Sequence, residues 1–248
     1  MAAAEESVNL YRHLAQADFS AHASGLTMAL NTFANRLRGS GRRDDALAAA
    51  QEVVSIRRRL VQSDPGAYAG ELAASLTNLT GHLAGAEQYG EAADTAQEAV
   101  TLYRRLIWET PGQYTSDFGK ALNNLVIVLT RGERFDEALV AEQEMVSLYR
   151  SLAQHNPAAY SHRLSTELID LAKRLSNAER NDEALAASRE ATALLRSLSD
   201  HDPQSFSRFL VNALDVNATI LEFCGLVEES SRLRHERDML VMRFGDGR

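Results

Sequence analysis

The sequence has few of the residues on which catalytic or metal chemistry depends. Cys224 is the single cysteine among 248 residues, which excludes an intramolecular disulfide and a cysteine-based metal cluster and fits a reducing compartment. The seven histidines are scattered, and we predict that none of them builds a metal site with an acidic neighbour. No glycine-rich phosphate loop follows a strand pattern, because the sequence has no strand pattern. We therefore predict no catalytic residues, no metal, no cofactor and no enzymatic activity.

Long apolar runs and an excess of basic residues are also missing. No run approaches the roughly 18 apolar residues that a membrane span requires. The N-terminal stretch MAAAEESVNLYRHL has two glutamates before its first basic residue, unlike a signal peptide. The formal net charge is -8 and the pI is about 5.4, whereas proteins that bind nucleic acids usually have a basic face. We therefore predict a cytoplasmic protein with neither a membrane nor a nucleic acid as its partner.

Proline and glycine are scarce, with four and 14 residues, while alanine and leucine are abundant, which favours long helices. All four prolines are 46 residues apart: Pro65, Pro111, Pro157 and Pro203. Most structural positions between residues 156 and 201 also have a residue of the same kind 46 residues earlier or later in the chain. The chain therefore contains an internal repeat, in which each unit packs only on its neighbours.

The prolines predict where the first helix of each repeat, the A helix, begins. Each follows a residue whose side chain can accept a backbone hydrogen bond, in the pairs Asp64-Pro65, Thr110-Pro111, Asn156-Pro157 and Asp202-Pro203. Such a residue caps a helix, and proline suits the first helical position. Asp18-Phe19 retains the cap without the proline. We therefore expect five A helices, near residues 19, 65, 111, 157 and 203, each with one apolar stripe.

The second helices of the repeats, the B helices, begin with acidic and small residues. The segments DDAL, GEAA, DEAL and DEAL start at residues 44, 90, 136 and 182, and acidic residues stabilise the first turn of a helix. A lone B helix at residues 1–17 and a last one around Val227 to Arg243 bring the total to eleven helices. We predict a single domain, 1–248, with units at about 18–63, 64–109, 110–155, 156–201 and 202–248.

The apolar pattern resembles that of the tetratricopeptide-repeat family. The residues that carry the resemblance are Leu168, Leu171, Ala172, Leu175, Ala184 and Ala191. The usual unit of this family has about 34 residues, so the present units are similar to the long repeats of bacterial signalling and regulatory proteins. A HEAT-type array also fits a period of about 40 to 47 residues, but the DEAL boundary favours the first interpretation. The resemblance implies an all-α, right-handed α-solenoid of antiparallel helix hairpins.

The resemblance further implies that the A helices line a concave groove that binds a peptide or a segment of a protein. The groove residues predicted here are Asn31, Asn35, Asn78, Lys120, Asn123, Asn124, Arg131, Asp170 and Lys173. Asn35, Asn78 and Lys120 match the family's site for a C-terminal carboxylate. Asn31 replaces a lysine and Asn124 replaces an arginine of that site.

Two missing charges weaken carboxylate binding, because charge-assisted hydrogen bonds are the strong ones. The groove is therefore better suited to the backbone amides of an extended segment, which asparagine can engage as both donor and acceptor. A structural alternative is that Asn78 and Asn124 bond to a neighbouring helix. Lys120 and Lys173, the two lysines of the chain, can likewise be ordinary solvated surface residues.

Two sets of charged residues also follow the 46-residue step. They are Glu6, Glu52, Glu98, Glu144, Glu190 and Glu236, and Arg12, Arg58, Arg104, Arg150 and Arg196. Within one helix the two charges are six residues apart, so ion pairs must cross between helices. We predict a structural ladder, with a basic stripe for an acidic partner as the alternative. Tyr103, Trp108 and Tyr149 are predicted to be core residues.

The last helix contains several apolar residues although no further helix is predicted to cover it. Its apolar residues are Leu233, Leu240, Val241, Met242 and Phe244. They can pack back on Phe209, Ala213 and Val216, or they can form an uncovered end that drives self-association. The sequence thus predicts a protein-interaction scaffold. The alternative is a self-associating sensor or scaffold arm of a larger bacterial signalling protein, with a homo-oligomer formed through the C-terminal helix.

Overall fold

The computed structural model describes residues 2–110 and 112–245, and these residues form eleven α-helices and no strand. The helices are α1 (Ala2–Ala17), α2 (Phe19–Gly39), α3 (Arg43–Ser63), α4 (Pro65–Gly85), α5 (Tyr89–Glu109), α6 (Thr115–Arg131), α7 (Phe135–His155), α8 (Pro157–Asn177), α9 (Asn181–His201), α10 (Pro203–Phe223) and α11 (Val227–Phe244). The even-numbered helices are the A helices. None of these eleven helices is long and apolar enough to cross a membrane.

The chain divides into two compact units, Met1–Ala138 and Leu139–Arg248, here called unit 1 and unit 2. Within each unit, helices that follow one another in the chain pack together, as α2 does with α3 and α9 with α10. Short turns reverse the chain between them, so successive helices are antiparallel. The prediction of an all-α solenoid with eleven helices is confirmed.

Side-chain caps start four of the five A helices where the sequence predicts. Three helices begin at Pro65, Pro157 and Pro203, and α2 begins at Phe19. In each case an oxygen of the preceding Asp or Asn side chain accepts a backbone N–H three residues further on, at 3.0 to 3.2 Å. These bonds satisfy N–H groups that the helix itself leaves unpaired.

The third A helix starts later than its predicted position near residue 111, which lies outside the described residues. Helix α6 begins at Thr115, and Tyr114 provides no side-chain cap. The hydroxyl of Thr110 donates to the carbonyl of Leu106 at 2.9 Å, so it is bound to the preceding helix. Gly112 then adopts a positive φ of 93°, which is incompatible with a helix. Threonine can donate backwards in this way, whereas the carboxylates of Asp18, Asp64 and Asp202 at three of the other caps can only accept.

Each turn from an A helix to its B helix contains one residue with a left-handed backbone. The residue is Gly41 or Gly225 in the first and last turns, but Glu87, Glu133 or Glu179 in the three middle turns. Gly85 and Gly132 lie in two of these middle turns, but each precedes the left-handed residue. At Glu179 two hydrogen bonds close the turn, from its N–H to Ser176 at 3.0 Å and from Arg180 to Leu175 at 2.9 Å, which is a Schellman motif.

The core of unit 1 consists mainly of aliphatic side chains. Val8, Ala23, Leu30 and Val53 belong to one buried cluster formed by α1, α2 and α3. Tyr103 is also buried, and its burial, together with the nearby Asp117, raises the pKa of its hydroxyl to about 12. The aliphatic residues of the A helices in unit 1 face this core, and the opposite, polar side of these helices is exposed.

The core of unit 2 includes α11. Leu168, Leu195 and Leu214 are fully buried, and Leu233 and Leu240 of α11 pack against this cluster together with Phe209 and Val216. Of the two alternatives for the last helix, packing back on the preceding hairpin thus applies to Leu233 and Leu240.

The predicted aromatic core residues differ in their outcome. Tyr103 is buried and Tyr149 is partly buried against the core of unit 2, as predicted. The prediction for Trp108 is wrong, because its side chain is 88% exposed. Steps of 46 residues from Trp108 lead to Gln62, Gln154 and Asp200, which are all exposed. The aromatic side chain thus occupies a position that faces solvent in the other repeats.

Candidate functional site

The polar side of the A helices in unit 1 presents a row of carboxamide groups. The predicted residues are distributed as Asn31 and Asn35 on α2, Asn78 on α4, and Lys120, Asn123, Asn124 and Arg131 on α6. Asn35, Asn78, Lys120 and Arg131 are exposed to solvent, and the other three are partly exposed. We call these seven residues the polar A-helix face.

Four of these carboxamides are free to bind a ligand. In the described part of the chain, the side chains of Asn31, Asn35, Asn78 and Asn123 have no hydrogen-bond partner. Asn31 and Asn123 are two 46-residue steps apart, with Thr77 between them, so equivalent positions on three A helices bear polar groups. The sequence alone could predict these residues because their exposure follows from the opposing apolar stripe.

Asn124 is partly exposed and also forms a hydrogen bond to a neighbouring helix. Its Nδ2 atom donates to the backbone carbonyl of Thr77 on α4 at 3.4 Å. The structural alternative therefore applies to Asn124 and not to Asn78. The sequence could not distinguish the two, because both asparagines occupy the same place in their repeats.

Lys120 is available to a ligand in spite of an ion pair. Its Nζ atom lies 2.8 Å from Asp117 Oδ1, and both side chains are largely exposed. Exposed pairs of this type contribute about 0 to 1 kcal/mol, so a carboxylate from a partner can replace Asp117 at little cost. Arg131, in the last turn of α6, adds a second positive charge to this face.

In unit 2 the predicted residues Asp170 and Lys173 are exposed on α8, with 3.7 Å between Lys173 Nζ and Asp170 Oδ1. Two carboxylates that we did not predict are buried nearby. Glu142 of α7 forms an ion pair with Arg174, and Glu167 of α8 forms one with Arg163 at 2.7 Å.

The equivalent positions in the other repeats indicate that these two acids are buried. The residues 46-residue steps away from Glu142 are Ala4, Ala50, Ala96, Ser188 and Arg234, and those equivalent to Glu167 are Ala29, Ser75, Ala121 and Ala213. Eight of these nine residues are small, the exception being Arg234 on the last helix, which indicates that both positions are tightly packed. A glutamate at such a position is therefore predicted to be buried.

Burial dominates the electrostatics of these two acids. Burial raises the pKa of Glu142 to about 7. The charge of Arg174 lowers this pKa, whereas the charges of Asp170 and Glu167 raise it. Burial also raises the pKa of Glu167, against the effect of Arg163. Charged carboxylates are poorly solvated inside a protein, which favours their protonated form. The charge of Glu142 therefore changes near neutral pH.

A cavity of unit 2 lies between the start of α10 and the end of α11. Its volume is about 620 Å³, and its lining includes His162, Phe206, Phe209 and Phe244. The His162 ring lies edge-on to Phe206 and Phe209, with 5.4 and 4.4 Å between ring centroids. Burial and the charges of Arg208 and Arg163 lower the pKa of His162, which favours a neutral imidazole in an aromatic setting.

The B helices are joined by the predicted ladder of ion pairs. Arg12 contacts Glu52 and Arg58 contacts Glu98 in unit 1, each at 2.6 Å. The pairs of unit 2 are Arg150 with Glu190 at 2.7 Å and Arg196 with Glu236 at 2.6 Å. Each pair joins one B helix to the next, so the structural interpretation is confirmed for these four pairs. A free basic stripe is not supported, since these arginines are neutralised.

No group of three His, Cys, Asp or Glu side chains within residues 2–110 and 112–245 could hold a metal ion. Cys224 is partly buried, and its Sγ atom lies 4.0 Å from the carbonyl oxygen of Asn181.

Comparison with known proteins identifies the repeats. Residues 26–65 and 119–157 match the family model of the tetratricopeptide repeat. Among curated proteins, none matches the sequence significantly. The chain is also similar to BtubC (BKLC) from P. vanneervenii, with 18% identity over 98% of this chain and 89% of that chain and a TM-score of 0.64.

Two further solved structures share the fold. A putative kinesin light chain from Podosopora anserina with nearly identical TPR-like repeats is 16% identical over 90% of this chain and 97% of that chain, with a TM-score of 0.64. YrrB, described as a TPR protein with an unusual peptide-binding site, is 16% identical over 93% of this chain and 91% of that chain, with a TM-score of 0.55. The family match and the common fold lead to one conclusion: residues 26–65 and 119–157 are similar to tetratricopeptide repeats, and the chain has the fold of proteins built from such repeats.

Proposed function

We propose that the polar A-helix face binds an extended segment of another protein and that the chain acts as a non-enzymatic interaction scaffold. The observation that carries this proposal is the row of exposed or partly exposed carboxamides, of which Asn31, Asn78 and Asn123 lie on three different helices without a hydrogen-bond partner. Each can accept from an N–H and donate to a C=O of the ligand backbone.

The spacing of the helices supports an extended ligand. Packed helices lie about 8 to 10 Å apart, and an extended chain rises about 3.3 Å per residue. Helices α4 and α6 contact each other, so the step between them corresponds to about three ligand residues. A segment that lies across α2, α4 and α6 can meet one asparagine on each helix. Because helices hold these asparagines in place, the protein loses little conformational entropy on binding.

The charges of unit 1 favour acidic side chains in this segment. Lys120 and Arg131 are exposed on α6, and Asp117 is the acidic residue of that helix. In unit 2, Asp170 and Lys173 are likewise proposed to contact a peptide ligand with their polar side chains. YrrB, one of the proteins with a similar fold, is described as having a peptide-binding site, which agrees with a peptide ligand here.

The experiment selects ligands from a displayed library of random 12-residue peptides and measures their affinities by fluorescence anisotropy. The test variant is Asn31→Ala/Asn78→Ala/Asn123→Ala. The matched control is Gln51→Ala/Gln62→Ala/Gln97→Ala, which removes three exposed carboxamides from the B helices. At about 0.5 to 1.5 kcal/mol for each lost hydrogen bond, we expect the test variant to bind at least tenfold more weakly and the control to bind normally. Equal affinity for both variants would place the site elsewhere.

A further inference from the structure

Helix α11 differs from the other B helices in its solvent-exposed residues. Met239 is 55% exposed and Met242 is 81% exposed. The equivalents of Met239 are the small or polar residues Asn9, Ser55, Thr101, Ser147 and Ala193, and those of Met242 are Arg12, Arg58, Arg104, Arg150 and Arg196. Apolar residues thus replace small, polar or charged ones at two positions that are three residues apart, on one face of the helix.

A third apolar residue is exposed at the opposite end of the same helix. Val227, the first residue of α11, is 61% exposed. Between the two ends the exposed residues are polar or charged, including Arg232 and His235. The outer face of α11 therefore has an apolar start, a polar middle and an apolar end.

The charges on this face distinguish the two ways in which two such helices can pair. Glu228 is exposed in the first turn and Arg243 is exposed in the last turn. A parallel pair would place like charges together at both ends. An antiparallel pair, related by a two-fold axis near residues 235 and 236, places Arg243 of each copy near Glu228 of the other. It also brings Met239 and Met242 towards the apolar start of the partner helix, and it aligns the helix dipoles favourably.

We infer that a second copy of this chain covers the outer face of α11 and that the two copies pair as antiparallel α11 helices. An 18-residue helix is about 27 Å long, and one helix pair buries less than the roughly 1,200 to 2,000 Å² of a standard interface. The dimer is therefore weak and depends on concentration. Leu240, which the sequence suggested for such a contact, packs on the core of unit 2 and takes no part. This inference is independent of the proposed peptide binding.

The test is sedimentation velocity of the full chain from about 5 to 200 µM, the range in which a weak dimer dissociates. We expect the mass to rise from the 27.3 kDa of the monomer towards twice that value. Met239→Ser/Met242→Arg, which introduces residues typical of the other B helices, should remain monomeric at 200 µM. Its circular dichroism and melting temperature should be unchanged because both side chains are exposed. The matched control is Met28→Ser/Val140→Ser, which removes two exposed apolar residues elsewhere and should dimerise normally.

A charge exchange tests the antiparallel arrangement. Arg243→Glu and Glu228→Arg should each weaken the dimer, and their combination should restore it, because each pair then again contains opposite charges. A wild-type chain that is monomeric at 200 µM would overturn the inference and leave this face to a different partner. A dimer that tolerates the methionine changes, or a double exchange that fails to restore it, would also overturn it.

Discussion

Among the described residues, unit 2 buries more polar and charged side chains than unit 1 does. Four are buried in unit 1, namely Thr27, Arg57, Ser75 and Thr80. Ten are buried in unit 2, namely Glu142, Ser161, Ser165, Glu167, Ser188, Thr192, Ser199, Ser207, Asn217 and Ser230. Hydroxyl groups account for most of this difference. Several bond to the preceding turn of their own helix, as Ser165 does to His162 at 2.7 Å and Thr192 does to Ser188 at 2.8 Å. The comparison shows that a repeat tolerates a buried polar side chain where a partner is within reach.

Asn217 shows how the partners of unit 2 are arranged. The hydroxyl of Ser188 donates to its Oδ1 at 3.2 Å, and its Nδ2 donates to the hydroxyl of Thr192 at 3.3 Å. The equivalents of Asn217 are Phe33, Leu79, Leu125 and Leu171, so the network is specific to the α9 and α10 pair. A satisfied network of this kind favours one alignment of the two helices over others.

The largest expected effect comes from transferring this asparagine to unit 1. Leu79→Asn places a buried amide where the equivalents of Ser188 and Thr192 are Ala50 and Val54, which have no polar side-chain group. We expect a loss of about 3 to 5 kcal/mol in the free energy of unfolding, from lost apolar burial and an unsatisfied polar group.

The reverse change is the matched control. Asn217→Leu should alter the free energy of unfolding by about 1 kcal/mol or less, since both hydroxyls keep a bond to a carbonyl of their own helix. Urea unfolding of both variants measures the difference. Similar losses in the two variants would show that partner availability does not distinguish the units.

The next prediction concerns the dependence of stability on pH. Burial raises the pKa of Glu142 to about 7, above the roughly 4.3 of an unfolded chain. The folded state therefore binds more protons between these values, and the stabilisation present below pH 4 is lost as the pH rises to 7. Glu142→Gln, which remains neutral, should flatten this dependence and stabilise the protein by about 1 to 3 kcal/mol at pH 8.

Thermal unfolding from pH 4 to 8 measures this effect, with Glu91→Gln at an exposed position of unit 1 as the control. The control should retain the wild-type pH dependence. A Glu142→Gln protein that is less stable at pH 8 would show that the ion pair with Arg174 outweighs the cost of burial.

The smallest expected effect is at the turns, where the units should behave alike. Glu133 in unit 1 and Glu179 in unit 2 both have a φ of 59°, which is costly for any residue except glycine. Glu133→Gly and Glu179→Gly should each stabilise the protein by about 0.5 to 1 kcal/mol, because glycine adopts this conformation freely. Gly41→Glu should destabilise by a similar amount in chemical denaturation, and the opposite sign in either experiment would refute this account of the turns.

Most of the fold could be predicted from the sequence because its signals are local. An Asp or Asn before proline fixes a helix start within a few residues, and the apolar stripe then fixes the buried side. The predicted helix start failed at Thr110, because its hydroxyl bonds to the preceding helix. The predicted burial failed at Trp108, because the equivalent positions in the other repeats are polar and exposed although tryptophan itself is apolar. The positive φ values of three glutamates could not be predicted, because glutamate is not a residue type that favours a left-handed backbone.

The candidate site was only partly predictable, because contacts between helices are not local. The exposure of Asn35 and Asn78 followed from their place opposite the apolar stripe. The bond from Asn124 to Thr77 depends on the distance between two helices, which the sequence does not specify. Glu142 could have been recognised as buried from the small residues at its equivalent positions, but its partner Arg174 could not.

The measurement that tests the proposed function most directly is the response of individual side-chain amides to a bound peptide. In NMR spectra of the full chain, the amide signals of Asn31, Asn78 and Asn123 should shift when a selected 12-residue peptide is added. The signals of Gln51, Gln62 and Gln97 should not shift, because these residues lie on the B helices. Shifts confined to the glutamines, or peptide binding that leaves all three asparagine signals unchanged, would contradict the proposal that the polar A-helix face is the binding site.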